Sequence, residues 1–487
     1  MKPTVNPFVP IPQAYRILLL GYFAVYLILI PTVTYVSTDA VVPYSGARYA
    51  LLMVYHLLLF VPIIFYRPSY GLLHPLVFPL LLGIVKVVAK SFDSLLAFLN
   101  TTPLFLEVNT AAAKPLRGLS QGEISELEIY VQLLEILAIS GMYLGYFYGP
   151  AIRSFRLPTM RSRNLPWVVG PAIVLSVMGT LLYLQSKGGI TAHFTSFAMG
   201  RKSAVGDEGF IHVAMGVGFT ATLVWLACRK HAYRNPFFWA AVVLTVPIQF
   251  LLRGSRSTIV YSAILLFLVH MLRTRKLPTV RIALVGFVGL MLIGVLGEVR
   301  KSSFGGNTVD WSILTNLSVD YAVEAYNKEI TFRTGQQPEV AVMARAVEDE
   351  GLLWGKTYLG GILFFVPRAL WPDKPHSIGY YTGTLLYNSR GGIPPSSVME
   401  AYWNFHVPGV LVVFFLFGTC LQWFGRLLVA NADNPAFYVI YVILVFYFGP
   451  SYLALVTSFQ QLGLALLVLW LARLIPPVVQ VNSLYRI

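Results

Sequence analysis

The sequence has little charge. Asp, Glu, Lys and Arg make up 12% of its 487 residues, against about a quarter in soluble domains, while 56% are apolar and mean hydropathy is +0.68. A soluble fold of this size needs more polar surface than such a chain supplies, which leaves the bilayer as its solvent. Acids are the scarcer charge, 21 against 36 basic residues, for a net charge of +15. In a soluble protein that excess points to nucleic acid. Here the basic residues stand in short clusters between apolar runs, the arrangement of membrane topology signals, so no nucleic-acid partner is expected. Cysteine is almost missing. Cys228 and Cys420 both fall in apolar runs, near the side assigned below to the cytoplasm, so neither a disulfide nor a metal site is expected. The short catalytic signatures are missing too: no P-loop, no GxGxxG opening a helix, no HExxH and no GxSxG. Met1–Pro12 is short and polar and leads into an apolar run long enough to span, so a cleavable leader is not expected. There is no internal repeat and no low-complexity segment.

What is there is a succession of apolar segments. Twelve are of spanning or near-spanning length, at about 14–36, 49–66, 72–92, 127–148, 166–185, 209–228, 237–252, 257–273, 281–299, 407–425, 436–450 and 459–475. The expected fold is an all-α polytopic membrane protein, a single integral membrane domain over residues 1–487, with 237–252 and 257–273 readable as a tight hairpin. With the N-terminus in the cytoplasm, the cytoplasmic ends and loops hold 17 basic residues and one acid, Asp433. That asymmetry places both termini in the cytoplasm. The outer side then carries loops at 93–126 and 187–208 and a long extracytoplasmic loop over 300–406. A loop of that length is usually functional. It is too short and too apolar for an independent enzyme domain, and short amphipathic helices on the membrane surface are expected in it, for example Gly361–Leu370.

Charges inside or beside the bilayer are expensive, about 2.5–3.5 kcal/mol each on insertion scales, and so call for a reason. Glu135, Lys86 and Lys90 fall within spans, either as a buried pair pinning two helices or as the polar wall of an outward cavity. Arg253-Gly254-Ser255-Arg256 stands between two apolar runs on the outer side, where positive-inside logic disfavours arginine. A guanidinium fork binds phosphate oxygens bidentately, and the following helix start adds N–H donors; the alternative is snorkelling to headgroups. Arg300-Lys301 and Arg201-Lys202, after Gly188-Gly189-Ile190, lie on the same side. The stretch Phe364 to His376 holds three prolines and a tryptophan, which stiffen it and suit it to the interface while it presents Arg368, Asp373, Lys374 and His376. Glu400 sits where the chain re-enters the membrane. Partial desolvation there raises a carboxylate pKa and suits it to general-base work; the alternative is a structural cap or ion pair. Glu348-Asp349-Glu350 reads as a solvated face, and the balanced charge of the long loop, nine basic and ten acidic residues, excludes a polyanion-binding surface.

At these residues the chain resembles the bacterial oligosaccharide repeat-unit polymerases, the Wzy-type or O-antigen polymerases. The resemblance rests on the Gly254-Ser255-Arg256 turn, the Gly-Gly-Ile of the second outer loop, the Pro-Arg-x-x-Trp-Pro-x-Lys-Pro stretch from Pro367 to Pro375, and Glu-x-Tyr-x-Asn-Phe from Glu400 to Phe405. It runs over about 70–480 as a pattern of helices and loops. The family is similar in layout to the O-antigen ligases, with a GT-C-like glycosyltransferase architecture. The resemblance implies a bacterial inner-membrane enzyme with its active site on the outer face. Its donor is a growing glycan on undecaprenyl pyrophosphate and its acceptor a sugar hydroxyl of a lipid-linked repeat. Membrane lipid and a chain-length regulator are further implied partners, and no metal, nucleotide or other cofactor is implied. The implied pyrophosphate ligands are Arg256 first, then Arg300, Lys374 and Arg201. Arg253, Arg368 and Lys301 join them by position. Glu400, then His376 and Asp373, are the implied bases. His406 stands where a glycine is usual in the family. The chemistry fits independently, because fixed arginines stabilise a pyrophosphate leaving group without a metal, each such donor contributing roughly 3–4 kcal/mol.

Two other readings stay open. A lipid-linked oligosaccharide flippase or other transporter fits twelve spans, but such proteins show a repeat between halves and ionisable residues at the midplane. An O-antigen ligase differs from a polymerase only in its acceptor, which the sequence does not identify.

Overall fold

The computed structural model describes residues 8–29, 32, 45–67, 70–80, 114–157, 164–190, 192–193, 209–229, 231–253, 257–276, 337–388 and 392–474. Long apolar runs leave the backbone with no polar partner but itself, and they fold as helices for that reason. In chain order these are α1 (Gln13–Tyr22, continued by a π-turn at Phe23–Leu29), α2 (Ser45–Ile64), α3 (Gln121–Tyr148), α4 (Leu165–Ser186), α5 (Gly209–Cys228), α6 (Pro236–Arg253) and α7 (Ser257–Thr274). Then come α8 (Gln337–Ala341, passing through a π-turn at Val342–Ala346 into Val347–Glu350), α9 (Lys356–Ile362) and α10 (Ile378–Tyr381, running into a π-turn at Thr382–Leu386). Three helices close the described chain: α11 (Ser397–Ala430), α12 (Pro435–Tyr447) and α13 (Tyr452–Leu471). No strand occurs among the described residues.

Six helices are long and apolar enough to cross a membrane: α2, α3, α4, α5, α11 and α13. Large apolar side chains stand exposed in mid-helix, Leu181 at 62% and Val243 at 68%, which only a lipid solvent accommodates over many turns. Four shorter apolar helices accompany them, at Gln13–Leu29, Pro236–Leu252, Thr258–Thr274 and Pro435–Tyr447. Of the other expected spans, 281–299 lies outside the described residues, as does 72–92 beyond Leu80.

The core of the arrangement is α3 against α11. Contacts pair Gly141 with Leu411, Gly145 with Phe415 and Gly149 with Thr419, so the two helices run parallel. A Cβ at Gly145 would overlap the Phe415 backbone, and one at Gly418 would overlap Met142. Three glycines at a spacing of four thus let two backbones touch, and polar side chains bond across the seam. Thr419 Oγ1 donates to Gly145 O (3.2 Å) and Gln422 Nε2 to Tyr146 O (2.7 Å). On the other side, α12 is buried around most of its surface, and Tyr441 donates its hydroxyl to Leu73 O at 2.5 Å. At 13 residues α12 is about 20 Å long, shorter than the hydrocarbon core. Buried in protein, it still carries the chain from the Asn431 turn at one end of α11 to Tyr452, beside Glu400, at the other.

Contacts between turns define two opposite faces. On one, Asn431 accepts from Leu157 N (2.6 Å), Arg275 donates to Ala432 O (2.9 Å), and the rings of His270 and Tyr233 meet at 5.9 Å. This face carries Arg153, Arg156, Arg229, Arg234, Arg273, Arg275 and Arg426. On the other stand α8 to α10, the head of α11 and the start of α13. The hairpin expected at 237–273 forms, α6 ending at Arg253 and α7 starting at Ser257 on this second face.

Candidate functional site

The site lies where α11 breaks. Pro408 has no N–H to give the Asn404 carbonyl, and the backbone leaves helical angles at Phe405 and His406. Two carbonyls lose their helical partners there, and the segment before α9 supplies new ones. Leu353 N donates to Trp403 O (3.0 Å) and Trp354 N to Asn404 O (3.1 Å), while Trp403 Nε1 donates to Gly351 O (3.1 Å). Residues 351–355 are thereby laced to the head of α11. The angles at His406 are φ 60° and ψ −160°, a region that only glycine enters without strain. His406 is thus held in a strained backbone, with its Nε2 3.3 Å from the Tyr402 hydroxyl.

Glu400, one turn before the break, is 1% exposed. Its Oε1 accepts the Tyr452 N–H that opens α13 (3.0 Å), and Thr357 of α9 also bonds to the carboxylate. Asn404 Nδ2 donates to Thr357 Oγ1 (2.9 Å) and to Glu400 O (2.8 Å), leaving its buried Oδ1 with no hydrogen bond. The carboxylate expected first as a base is thus the most enclosed of the three acid–base candidates, and it ties α9, α11 and α13 together. Tyr358 stacks on Phe405 beside it, and burial, then the Glu400 charge, push its hydroxyl pKa well above the ordinary value.

The proline-rich stretch folds over this junction as a knot held by its own cations. Lys374 is buried, and its ammonium donates to Phe364 O (2.6 Å) and Val366 O (2.9 Å), carbonyls beyond the end of α9. Burial, then the Arg368 guanidinium, lower its pKa below the usual lysine value. Arg368 donates to Lys374 O (2.8 Å), to Pro372 O (3.5 Å) and to His376 Nδ1 (3.0 Å). The last bond leaves Nε2 as the protonated nitrogen of a neutral His376. The Arg368 guanidinium is exposed, and these bonds use three of its five N–H groups. Asp373 is exposed on the same knot. Among the sequence candidates, then, Arg368, Asp373, Lys374 and His376 are brought together in one knot. Lys374 is committed to the knot's own carbonyls for two of its three protons.

The knot and the α11 head are in contact. Pro375 packs on Gly360 of α9, Tyr452 packs on Gly360 and Gly361, and Tyr452 is within electrostatic reach of both Arg368 and Glu400. His376 N donates to the Tyr381 hydroxyl (3.3 Å), whose ring lies 6.3 Å from Trp403. Thr357, Tyr358 and Tyr452 are the members that sequence reasoning missed, because a threonine, a tyrosine and a backbone N–H carry no signature until a fold assembles them.

The structure corrects one expectation: the surface helix is α9, ending at Ile362, and Gly361–Leu370 is mostly turns. Pro367, inside the expected helix, cannot continue one. Glu348, Asp349 and Glu350 are exposed at the end of α8, as a solvated face should be. Arg201, Arg256, Arg300 and Lys301 lie outside the described residues, as do Lys86 and Lys90, the expected partners of Glu135. Arg253 is described only as the residue that ends α6. Comparison with protein-family models, with curated proteins and with solved structures finds no significant match to this chain.

Proposed function

We propose that the protein is a membrane glycosyltransferase of about twelve spans, GT-C-like in architecture, set in the bacterial inner membrane with both termini in the cytoplasm and the Glu400 face outward. It joins undecaprenyl-pyrophosphate-linked repeat units into a polysaccharide, moving the growing glycan onto an acceptor hydroxyl and releasing undecaprenyl pyrophosphate. The observation that carries this reading is the meeting of two sequence motifs. The stretch Pro367–Pro375 and the stretch Glu400–Phe405 both meet α9, Pro375 at Gly360 and Asn404 at Thr357, with Tyr452 within reach of Arg368 and Glu400, at one end of the long helices. The basic side chains gathered on the opposite face support the orientation.

In this mechanism the remaining N–H groups of Arg368, with the arginines of the 253–256 turn and Arg300, hold the diphosphate as its charge grows. Fixed donors do this without reorganising at the moment of reaction. Asp373, the exposed carboxylate, takes the acceptor proton. Glu400 holds the three helices on which the knot rests. Purified protein in nanodiscs, given lipid-linked repeats without added metal, is expected to build ladders of increasing length. Arg256→Ala and Arg368→Ala should each slow extension by about a hundredfold or more. Repeats left unextended under all conditions would remove the activity, and ladders unchanged in both variants would remove the arginine mechanism.

A further inference from the structure

A second built site lies on the opposite face, at the far end of α11. Glu400 and Arg426 are 26 positions apart on that helix, about 39 Å of rise, so the two sites cannot share a ligand. Here a cavity of about 480 Å³ opens between α3, α11 and the turn at 71–76, lined by His74, Tyr146, Phe147, Ser154, Gln422 and Arg426 among others. Gly425 makes room for the turn, since a Cβ there would come within 3.0 Å of Pro75 Cγ.

The donors in this cavity are ordered by a short relay. Leu76 N donates to His74 Nδ1 (3.3 Å), which puts the proton of the neutral ring on Nε2. His74 Nε2 lies 3.0 Å from the Tyr146 hydroxyl and donates to it, so the phenol oxygen accepts and its own proton is turned away from His74. The exposed Arg426 guanidinium and the Ser154 hydroxyl line the same space, and among the described residues no acid does. Gln422 gives its Nε2 to Tyr146 O (2.7 Å), and its buried Oε1 has no surface open to the cavity. A ligand filling the cavity therefore brings negative charge to Arg426, Ser154 and Tyr146. The rim is apolar and exposed, with Phe147 at 52% and Val429 at 48%, as beside acyl chains.

We propose that this cavity binds an anionic phosphate ester, and that the ester belongs to the headgroup of a membrane lipid rather than to a soluble phosphate. The full-length protein in phosphatidylcholine nanodiscs, with and without phosphatidylglycerol, tests it by thermal unfolding and by native mass spectrometry of retained lipid. Phosphatidylglycerol should raise the unfolding temperature by several degrees and be retained in preference to the zwitterionic phosphatidylcholine. Arg426→Gln and Tyr146→Phe should each weaken retention about tenfold, one charge-assisted or phenolic bond being lost. Two variants and two readouts keep the test open if one variant folds poorly. Retention unchanged in both variants overturns the site. Equal retention of phosphatidylcholine overturns the anion assignment. Equal stabilisation by glycerol 3-phosphate in detergent overturns the lipid assignment.

Discussion

Changing the Glu400 carboxylate to a carboxamide keeps the oxygen that Tyr452 N–H needs and removes the charge. Glu400→Gln should therefore fold as the parent does, whereas Glu400→Ala orphans a buried N–H at the start of α13 and should cost about 1–3 kcal/mol in detergent unfolding. Because the group is enclosed, the Gln variant should extend glycans within about tenfold of the parent rate, while Asp373→Asn should lose about a hundredfold. A folded but inactive Gln variant would return the base to Glu400. His406 makes a second test at this scale. Its backbone angles cost a non-glycine residue about 1–3 kcal/mol, so His406→Gly should raise the unfolding temperature despite losing the Tyr402 contact, and His406→Ala should lower it. The sequence marks both residues, Glu400 as an acid where the chain re-enters the membrane and His406 as a departure from glycine. It does not mark their partners, because Tyr452 acts through a backbone group 52 residues away.

Between helices, the decisive feature is the run Gly141, Gly145 and Gly149 against Gly418. A spacing of four is legible in a sequence, but the helix it meets is not, since about 270 residues separate Gly145 from Phe415. Gly145→Ala should destabilise by about 1–3 kcal/mol, because its Cβ overlaps backbone that cannot turn aside as a side chain can. Gly463→Ala on α13 is the control: beyond its chain neighbours nothing lies within 4 Å of that Cβ, and stability should hold or rise. Equal losses in the two would mean that α3 and α11 do not touch here. The same scale shows what hydropathy leaves open. The segment at 436–450 is apolar on every side, as a helix buried in protein also is. Only the neighbours of α12, many from parts of the chain far from it, show that it passes through the bundle interior rather than against lipid.

Over the whole molecule, charge asymmetry proves more informative than helix counting. The clusters holding Arg153, Arg156, Arg275 and Arg426 are separated by hundreds of residues, yet the contacts of Asn431, Ala432 and Leu157 gather them on one face. That grouping is legible in the sequence because insertion reads Lys and Arg loop by loop, without reference to tertiary structure. Burial around Glu400 is not legible, because it depends on three elements, α9, α11 and α13, meeting at one carboxylate. The orientation can be checked directly in a background lacking Cys228 and Cys420. In sealed right-side-out membrane vesicles, a membrane-impermeant thiol reagent should label Asp373→Cys, on the exposed knot, and leave Arg156→Cys unlabelled until the membrane is permeabilised. Labelling in the reverse order would place the knot in the cytoplasm. No flipped lipid-linked glycan reaches that side, so the polymerase reading would fall with the orientation, while the contacts of Glu400, α3 and α11 would stand.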